Sequence, residues 1–553
     1  MTAAQQNFPS DAEAVSTSRP RSFVVPTGLK QPPYPKWMSK VVLEVARVHT
    51  KRWDWALEDL EIEQRKQLRR ILDRAKDTEF GRKYRMGDMR TYEEFRSRVP
   101  VGDYDTHSAY IDRMRKGERG VLVPDMVRYF GNSSGSSNQG RSKFLPVTDI
   151  QIRLQKKAGQ DALFRFLVHK NRRDFLDGFT LGLFPSTKMK EEGPVLISSN
   201  PAIMAANMPL FTRWGYLPDS ETRAISDYDA KMTRIAENTL DVDVRCIAGT
   251  TCWFSVLFQR VLEVARRKGR TSSGRSVETV REIWPNLDLL MGGGVSADPY
   301  LPVIRALLGR DDVTLVDTYN ATEGGIYASS DFTGEPGMRV IPHRGTFFEL
   351  TPLEDQGKSN PRRVPLWEVE IGKSYVILPT TISGLYAYEL GDIVRFTTKS
   401  PLRMEFVGRL SGCLSLTQEL MTHVEVERAV ASAIEKVGTT LVDFGAAGVI
   451  QKHAPPMYMI FAEPTGPVDE AKLVKALDEG LCEQNRVYRE HRQGSVAIGA
   501  PRLIVLPPGT AARFLKGSTG GNVQGKFPRI LNRARAESLW SMVQPGAQPP
   551  AFA

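Results

Sequence analysis

The sequence predicts an α/β protein with a large N-terminal domain, built on parallel or mixed sheets and a β-rich subdomain, and a small α+β C-terminal domain. Up to about residue 340, strand-like segments that end in glycine-rich turns alternate with helical segments. Short strands follow at close spacing up to about residue 408, and beyond Gly412 two apolar helix stripes flank one strand. A chain of 553 residues is long enough for two to four domains.

Composition excludes several classes of protein. The net charge is +11, but 75 Lys and Arg are spread among 64 Asp and Glu, which favours anionic small ligands over nucleic acid. The four cysteines lack metal-type spacing, there is no secretion signal, and no apolar run is long enough to cross a bilayer. We therefore expect a cytoplasmic protein with neither nucleic acid nor membrane as a partner.

Changes of pattern divide the chain into four parts. Residues 1–36 are rich in Pro, Ser, Thr and Gln and predict a disordered N-terminal tail. Residues 37–409 form the predicted large domain, which begins with helical periodicity. A break at Gly408–Gly412 leads into the predicted small domain, residues 410–540, and residues 541–553 are expected to be a tail.

Within the large domain, apolar runs predict strands that carry a site at their carboxyl ends. Because such runs stop at glycine-rich turns, they are typical of a mainly parallel sheet with ligands at the strand ends. The predicted strands are Phe179–Phe184, Val195–Ile197, Val244–Gly249, Leu287–Met291 and Val313–Asp317, with an apolar helix from Trp253 after the third. The β-rich part contains Thr346–Leu350, Trp367–Ile371, Tyr375–Leu378, Ile393–Phe396 and Met404–Val407.

A loop of only Gly, Ser and Asn, Gly131–Asn138, lies between two strand-like segments. Small residues let an anion approach backbone N–H groups, so the loop is suited to phosphate. It differs from a Walker loop because Lys143–Pro146 continues as extended chain where a Walker loop opens a helix. The alternative is a flexible surface turn.

Three further motifs follow this loop in order: Tyr319-Asn-Ala-Thr-Glu-Gly324 after a strand, Tyr388-Glu-Leu-Gly-Asp392, and a late Gly525-Lys526. With them the chain resembles the adenylate-forming superfamily and, within it, the Gretchen Hagen family of acyl-acid amido synthetases, as a bacterial-type member. The family-specific stretches include Tyr92–Tyr104, Ser133–Ser137, Trp284–Leu287 and Asn485–Arg492, and the resemblance covers residues 40–535.

The resemblance implies an ATP- and Mg²⁺-dependent ligase with a mobile small domain. Such an enzyme activates a carboxylic acid as an acyl-adenylate, releases pyrophosphate, and transfers the acyl group to an amine or amino acid to form an amide. An acid–thiol ligase that makes an acyl-CoA shares the first step, and a catalytically silent nucleotide-binding homologue is the alternative of another class. The expected partners are a small-molecule acid and amine, and a monomer is expected.

The resemblance also implies site residues. Lys526 and Glu323 would be catalytic, with Glu323 holding Mg²⁺, and ATP would be bound by Ser133, Ser134, Gly135, Ser136, Ser137, Lys143, Tyr319, Asn320, Ala321, Thr322, Asp392 and Arg409. The acyl group would lie near Cys252, Trp253, Phe254, Gly293 and Val295. Structural alternatives are a helix N-terminal acid for Glu323, a plain turn for Asp392, a solvated charge for Lys526, and a core helix for the segment that follows Cys252.

One segment departs from the family pattern. Where relatives carry Gly-Glu-Lys followed by Asn-Glu, this chain has Gln418-Glu419-Leu420-Met421-Thr422. The lysine and the second acid are missing, which leaves open how closely the second half-reaction follows that of the plant enzymes.

Overall fold

The computed structural model describes residues 30–133, 143–294, 297, 301–356, 358–414, 416, 419, 421–450, 455–492, 498–518 and 527–552. Its helices are α1 Trp37–Ala56, α2 Leu60–Ala75, α3 Glu79–Lys83, α4 Tyr92–Arg98, α5 Tyr104–Arg115, α6 Asp149–Lys170, α7 Asn200–Ala206, α8 Leu210–Arg213, α9 Ser220–Ala224, α10 Tyr228–Thr239, α11 Cys252–Arg267, α12 Leu301–Leu308, α13 His423–Val437, α14 Glu470–Gln484, α15 Arg486–Arg492, α16 Thr510–Ser518 and α17 Arg533–Val543.

The strands are β1 Tyr129–Ser133, β2 Lys143–Val147, β3 Phe179–Leu183, β4 Lys190–Glu192, β5 Val195–Ser198, β6 Tyr216–Leu217, β7 Val244–Gly249, β8 Thr271–Ser272, β9 Arg275–Ser276, β10 Leu289–Gly293, β11 Thr314–Ala321, β12 Gly325–Ser329, β13 Met338–Val340, β14 Thr346–Pro352, β15 Val364–Pro365, β16 Ser374–Thr381, β17 Asp392–Lys399, β18 Leu402–Arg409, β19 Cys413–Leu414, β20 Met421–Thr422, β21 Leu441–Val449, β22 Met457–Pro464 and β23 Arg502–Val505. Among the described residues, no helix combines the length and the apolar character needed to cross a bilayer.

A twelve-stranded sheet runs through the large domain in the order β15-β14-β16-β17-β18-β13-β12-β11-β10-β7-β3-β6. Its neighbours from β11 to β6 are parallel, whereas those from β15 to β11 are antiparallel. This confirms the predicted mixed fold and shows that its parallel and β-rich parts belong to one sheet. The change of direction falls at β11, the strand that carries the Tyr319 motif.

Alternation along β10 explains how both faces of the parallel part are covered. Leu290 is buried in the core that α10, α11 and α12 share. Leu289 points to the other face, where it packs with residues of α1 and α6. Burial on both faces accounts for the continuous apolar runs of these strands.

A smaller sheet carries the Gly/Ser loop. Its order is β2-β1-β5-β4, with β1 antiparallel to β2 and parallel to β5. Since β2 is a strand, the structure confirms that the loop does not open a helix, as a Walker loop must.

The segment Trp367–Ile371, predicted as a strand, begins instead with a 3₁₀ turn over Leu366–Glu368. The Trp367 ring packs edge-on against Tyr92 and at a tilt against Phe347. These aromatic contacts place the Trp367 side chain against the core of the N-terminal helices. The backbone of Leu366–Glu368 forms the 3₁₀ turn and not a strand.

The small unit places α13 and α14 against the sheet β21-β22-β23. Residues 541–552, expected as a tail, are docked: the last turn of α17 reaches Val543, and Phe552 is buried beside Phe461 and Trp540. At the other end, residues 30–36 lie within the predicted tail but contact the domain, since the Lys30 carbonyl accepts a hydrogen bond from Asp243 at 3.0 Å. The domain boundary at residues 409 and 410 stays a prediction.

Candidate active site

The Tyr319 motif lies where the sheet changes from parallel to antiparallel. Tyr319–Ala321 form the end of β11, and β12 begins at Gly325, so Thr322–Gly324 make the turn between two strands. Gly325 has φ +111°, a value that favours glycine. Glu323 is thus part of a strand-to-strand turn, and its interpretation as a helix N-terminal acid is wrong.

A triad of two buried side chains, Tyr319 and Asp392, and the partly exposed Arg409 sits beside this turn. Asp392 begins β17 and Arg409 ends β18, and the two are paired across the ladder. The Arg409 Nε lies 2.5 Å from Asp392 Oδ1, and the Tyr319 hydroxyl donates to Oδ2 at 2.6 Å. Burial raises the pKa of Asp392, while Arg409 and the tyrosine hydroxyl oppose that rise. The carboxylate is therefore fixed by a strand and two partners, which excludes the plain-turn alternative.

Glu323 is the second buried carboxylate of the site. Burial raises its pKa to about 7, and the nearby charge of Asp392 adds to this, whereas Arg409 and Lys143 act in the opposite direction. Within the described part of the chain, Glu323 forms no ion pair. It faces two tyrosines, Tyr327 and Tyr388, whose pKa values are raised by burial and then by the charge of Glu323.

The hydroxyls of Tyr327 and Tyr388 are buried and find no hydrogen-bond partner among the described residues. A buried polar atom without a partner is unfavourable, so such atoms at the centre of a site indicate a group that is bound there. The candidate site thus combines a carboxylate of raised pKa with two unused hydroxyls.

Gly131, which begins the Gly/Ser loop, and Lys143, which follows the loop, lie next to this centre. Lys143, at the start of β2, is near enough to Glu323 to lower its pKa. Gly131, in β1, lies against Thr322: a Cβ at position 131 would be 2.5 Å from the Thr322 Cγ2. Close approach of the turn explains why a glycine is needed there. The backbone of Ser133 ends β1, and Ser134, Gly135, Ser136 and Ser137 lie outside the described residues.

Gln151 holds the turn and was not predicted. Its Nε2 donates to the Thr322 carbonyl at 3.1 Å, and the side chain is 1% exposed. It lies in the first turn of α6, which the Thr148 side chain caps. A glutamine near the start of a helix carries no signal in sequence, since its partner is 171 residues away.

Only some of the residues that were predicted to line the acyl-substrate site lie next to the Tyr319 motif. Thr318 Oγ1 donates to the Gly292 carbonyl at 2.7 Å, and a Cβ on Gly293 would be 2.6 Å from Thr318 Oγ1. Gly292 and Gly293, the last two residues of β10, therefore lie directly beside the strand that carries Tyr319 and Asn320. Asn320 continues the contact, because its Nδ2 donates to Thr318 Oγ1 at 2.7 Å.

The start of α11 is close to the same end of β10, since the Thr251 N–H donates to the Gly293 carbonyl at 3.4 Å. Phe254, however, is fully buried in the core under the parallel strands, as the core alternative expects. Trp253 is half-buried at the edge of that core. The side chain of Cys252 and all of Val295 lie outside what the structure describes.

The donor set fits magnesium held together with a phosphate group. Mg²⁺ is bound by one or two carboxylates plus phosphate oxygens in nucleotide sites, rather than by a cage of protein ligands. The described residues contain no group of three or more His, Cys, Asp or Glu that could hold a metal alone. Glu323 is the carboxylate in position for this role. Lys526 lies outside the described residues.

In the segment that differs from the family pattern, Gln418–Thr422, the acid Glu419 has a structural role. Glu419 is 3% exposed, and its Oε1 accepts hydrogen bonds from the Leu416 N–H and the Tyr458 hydroxyl, both at 2.7 Å. It links the start of the small unit to β22. Gln418 and Leu420 lie outside the described residues.

Comparison with known proteins gives consistent matches along the chain. Models of the GH3 family match as its N-terminal domain at residues 50–233, its central domain at 339–409 and its C-terminal domain at 424–535. Indole-3-acetic acid-amido synthetase GH3.3 of Arabidopsis thaliana is 24% identical over 551 residues, covering 85% of this chain and 89% of that protein. Jasmonoyl--L-amino acid synthetase GH3.5 of Oryza sativa subsp. japonica is 32% identical over 286 residues, 46% of this chain and 48% of that protein.

Two solved structures share the fold. The AtGH3.15 acyl acid amido synthetase in complex with 2,4-DB superposes with a TM-score of 0.73 at 19% identity, covering 94% of this chain and 98% of that chain. A 2-hydroxyisobutyryl-CoA ligase in the postadenylation state gives 0.56 at 14% identity, covering 87% and 91%. The fold of this chain, with a large N-terminal domain and a smaller C-terminal domain, is thus one that these solved structures share.

Proposed function

The chain belongs to the GH3 family, whose members are amide-forming ligases of the adenylate-forming superfamily, and we propose that it activates a small carboxylic acid with ATP and Mg²⁺ and passes the acyl group to an amine or amino acid. One observation carries the proposal: Glu323, Asp392 and Arg409 meet near the junction of β11 and β12, beside Gly131, which begins the Gly/Ser loop, and Lys143, which follows it. Glu323, Asp392 and Arg409 are far apart in sequence and close in space.

The first step joins the substrate carboxylate to the α-phosphate of ATP and releases pyrophosphate. In our proposal the loop residues Ser133, Ser134, Gly135, Ser136 and Ser137, with Lys143, hold the phosphates, and Tyr319, Asn320, Ala321 and Thr322 lie along the adenine and the α-phosphate. Asp392 accepts the ribose hydroxyls, and Arg409 contacts the ribose or the phosphate. Because Tyr319 and Arg409 already fix the Asp392 carboxylate, little reorganisation is needed on binding.

Glu323 would hold the magnesium ion. When bound, Mg²⁺ neutralises charge on the phosphate oxygens as pyrophosphate departs. Glu323 suits this role because it is buried and its pKa is raised to about 7. A bound cation would stabilise the ionised carboxylate, which has no ion-pair partner among the described residues. The role of Lys526, which would reach the α-phosphate from the small domain, rests on the family resemblance.

The second step is attack of the amine on the acyl-adenylate, with departure of AMP. We place the acyl group beside Gly292 and Gly293, near Trp253 at the start of α11. The fully buried Phe254 supports that pocket from the core and does not line it.

The test is pyrophosphate release from ATP across aromatic and aliphatic acids, with and without mixed amino acids or CoA, followed by mass spectrometry of the product. We expect an acid to trigger release and an amide mass to form only when an amine is present. A CoA thioester mass would establish the acid–thiol alternative. No release with any acid, despite ATP binding, would indicate a silent homologue.

Matched variants test the proposed lysine. Lys526→Ala should abolish pyrophosphate release while ATP binding persists. Lys516→Ala removes an exposed lysine of α16 and serves as the control. Normal adenylation by Lys526→Ala would remove that residue from the mechanism.

A further inference from the structure

Helix α1 carries an apolar stripe on its outer side. The stripe consists of Trp37, Val41, Val45, Val48 and Trp55, which are 61%, 49%, 51%, 71% and 72% exposed. At about 100° per residue these positions fall within an arc of roughly 80°. The two tryptophans are about 27 Å apart along the helix, at 1.5 Å per residue.

Single exposed apolar residues are common on soluble proteins, but a continuous row is not. The two tryptophans alone expose on the order of 300 Å². Elsewhere in the described chain, exposed tryptophan occurs singly, as at Trp214, which is 48% exposed.

The inner side of α1 is firmly anchored, so the stripe is not the result of a loose helix. Leu43 and Ala46 are 1% and 0% exposed against α6. The Ser39 hydroxyl donates to Asp177 at 2.9 Å, and the His49 Nε2 lies 2.7 Å from Asp161. The body of the protein therefore holds the apolar stripe outward as a rigid surface.

The charges around the stripe are mainly positive. Lys36, Lys40, Lys51 and Arg52 are exposed, and in the described part of the chain none of them has an ion-pair partner. Of the acids near the stripe, Glu44 is already paired with Arg47, and Glu58 lies past the end of the helix, where its N–H donates to the Trp55 carbonyl. Unpaired cations beside exposed tryptophan are complementary to a surface that is both apolar and anionic.

We propose that α1 docks the protein on an anionic membrane surface, with the stripe in the headgroup region and the four cations on lipid phosphates. Tryptophan favours this interfacial depth, and lysine and arginine add affinity for anionic lipid. The expectation of no membrane partner rested on the lack of a spanning segment, which does not test for peripheral binding. A second copy of the chain fits less well, since pairing two α1 helices would bring like charges together.

The experiment is flotation of the purified full-length protein with vesicles of phosphatidylglycerol and phosphatidylcholine, and with vesicles of phosphatidylcholine alone. We expect binding to the anionic vesicles that weakens as salt is raised. Trp37→Ser with Trp55→Ser should lower the partition coefficient at least tenfold. Trp214→Ser is the matched control and should bind like the parent protein.

Folding of each variant is checked by circular dichroism, and its mass in solution by light scattering. Because the replaced side chains are mostly exposed, the spectra should not change. Failure to bind anionic vesicles, or equal loss in Trp214→Ser, would overturn the proposal. A dimer that the double variant disrupts, without vesicle binding, would assign the stripe to self-association instead. Bilayer binding does not require catalysis, so either outcome leaves the ligase reaction to be judged separately.

Discussion

Glu323 shows how a residue can be unfavourable for stability yet suited to function. Its pKa is raised to about 7 mainly by burial, against a usual value of 4.5. Between these values the folded state binds the proton that the unfolded state has lost, so stability falls as pH rises from about 4.5 to 7. The full effect above pH 7 is about 3 kcal/mol, at 1.36 kcal/mol for each pKa unit.

Glu323→Gln should therefore stabilise the ligand-free protein by up to about 3 kcal/mol at pH 8, and hardly at all at pH 4.5. Urea unfolding at the two pH values measures the difference. The same variant should need a higher Mg²⁺ concentration for half-maximal pyrophosphate release, because a carboxylate ligand of the ion is lost. An unchanged magnesium titration would remove Glu323 from the metal site.

Two neighbouring tyrosines allow a matched comparison. The Tyr319 hydroxyl donates to the buried Asp392 at 2.6 Å, whereas the Tyr327 hydroxyl has no hydrogen-bond partner in the described chain. Tyr319→Phe should lower the free energy of unfolding by about 1.5–3 kcal/mol, because a hydrogen bond to a charged group is lost. Tyr327→Phe should be neutral or stabilising. Equal losses in urea unfolding would show that the hydrogen bond to Asp392 contributes nothing particular.

At the level of elements, a buried carboxylate, Asp161, is one of the links between α1 and the rest of the large domain. Asp161 of α6 accepts from Arg344 at 2.7 and 2.6 Å and lies 3.2 Å from the His343 Nε2. Trp53 of α1 stacks on His343, with ring centroids 4.0 Å apart. Burial lowers the pKa of His343 to about 4, although Asp161 acts in the opposite direction.

Since the unfolded histidine has a pKa near 6.5, the unfolded state binds more protons between pH 6.5 and 4. Stability should therefore fall by about 3 kcal/mol as pH drops through this window. In His343→Gln the fall should be smaller by that amount, measured by urea unfolding at pH 7 and pH 4.5. The lowered pKa of Asp161 adds its own loss only below its usual value of 3.8. Identical pH profiles for the two proteins would contradict the assignment.

Elements with local signals were predictable from sequence. Apolar runs predicted β3, β7 and β10, the last two of which end in glycine, and the extended chain after the Gly/Ser loop predicted β2. The turn at Glu323 was harder, because Thr-Glu before glycine equally suits a helix start, and only the pairing of β12 with β11 decides it. Trp367 has strand propensity, but distant aromatic contacts outweigh it.

The candidate site also divides into residues with a local sequence signal and residues that only tertiary contacts reveal. Order along the chain indicated Asp392 and Arg409, yet their ion pair depends on the register of β17 with β18. Gln151, the two unpartnered tyrosine hydroxyls and the buried state of Phe254 are tertiary facts without a local signal. Sequence thus identified the groups that touch ATP in our proposal, and the structure adds those that hold them.

For the whole molecule, the apolar clusters indicate two units that unfold separately. Among the described residues, the two cores of the small unit draw their buried members only from residues 414–552. Contacts across the junction join β18 to the start of the small unit: Arg428 lies 3.9 Å from Glu405, and the His423 and Phe406 rings are 5.6 Å apart. On the basis of these separate cores we propose that the small domain changes position between the two half-reactions without disturbing the larger core.

Phe552 tests this independence because it anchors the far end of the small unit. It is 4% exposed and packs near Phe461 and Trp540, with ring centroids 6.2 and 6.5 Å away. Phe552→Ala should destabilise the small unit by about 3–5 kcal/mol, the usual loss for a buried phenylalanine. Differential scanning calorimetry should show one transition at lower temperature and the other unmoved, whereas Met542→Ala, at a side chain 36% exposed, should change neither. If both transitions shift together in Phe552→Ala, the two units unfold as one, and the junction must be more rigid than its contacts indicate.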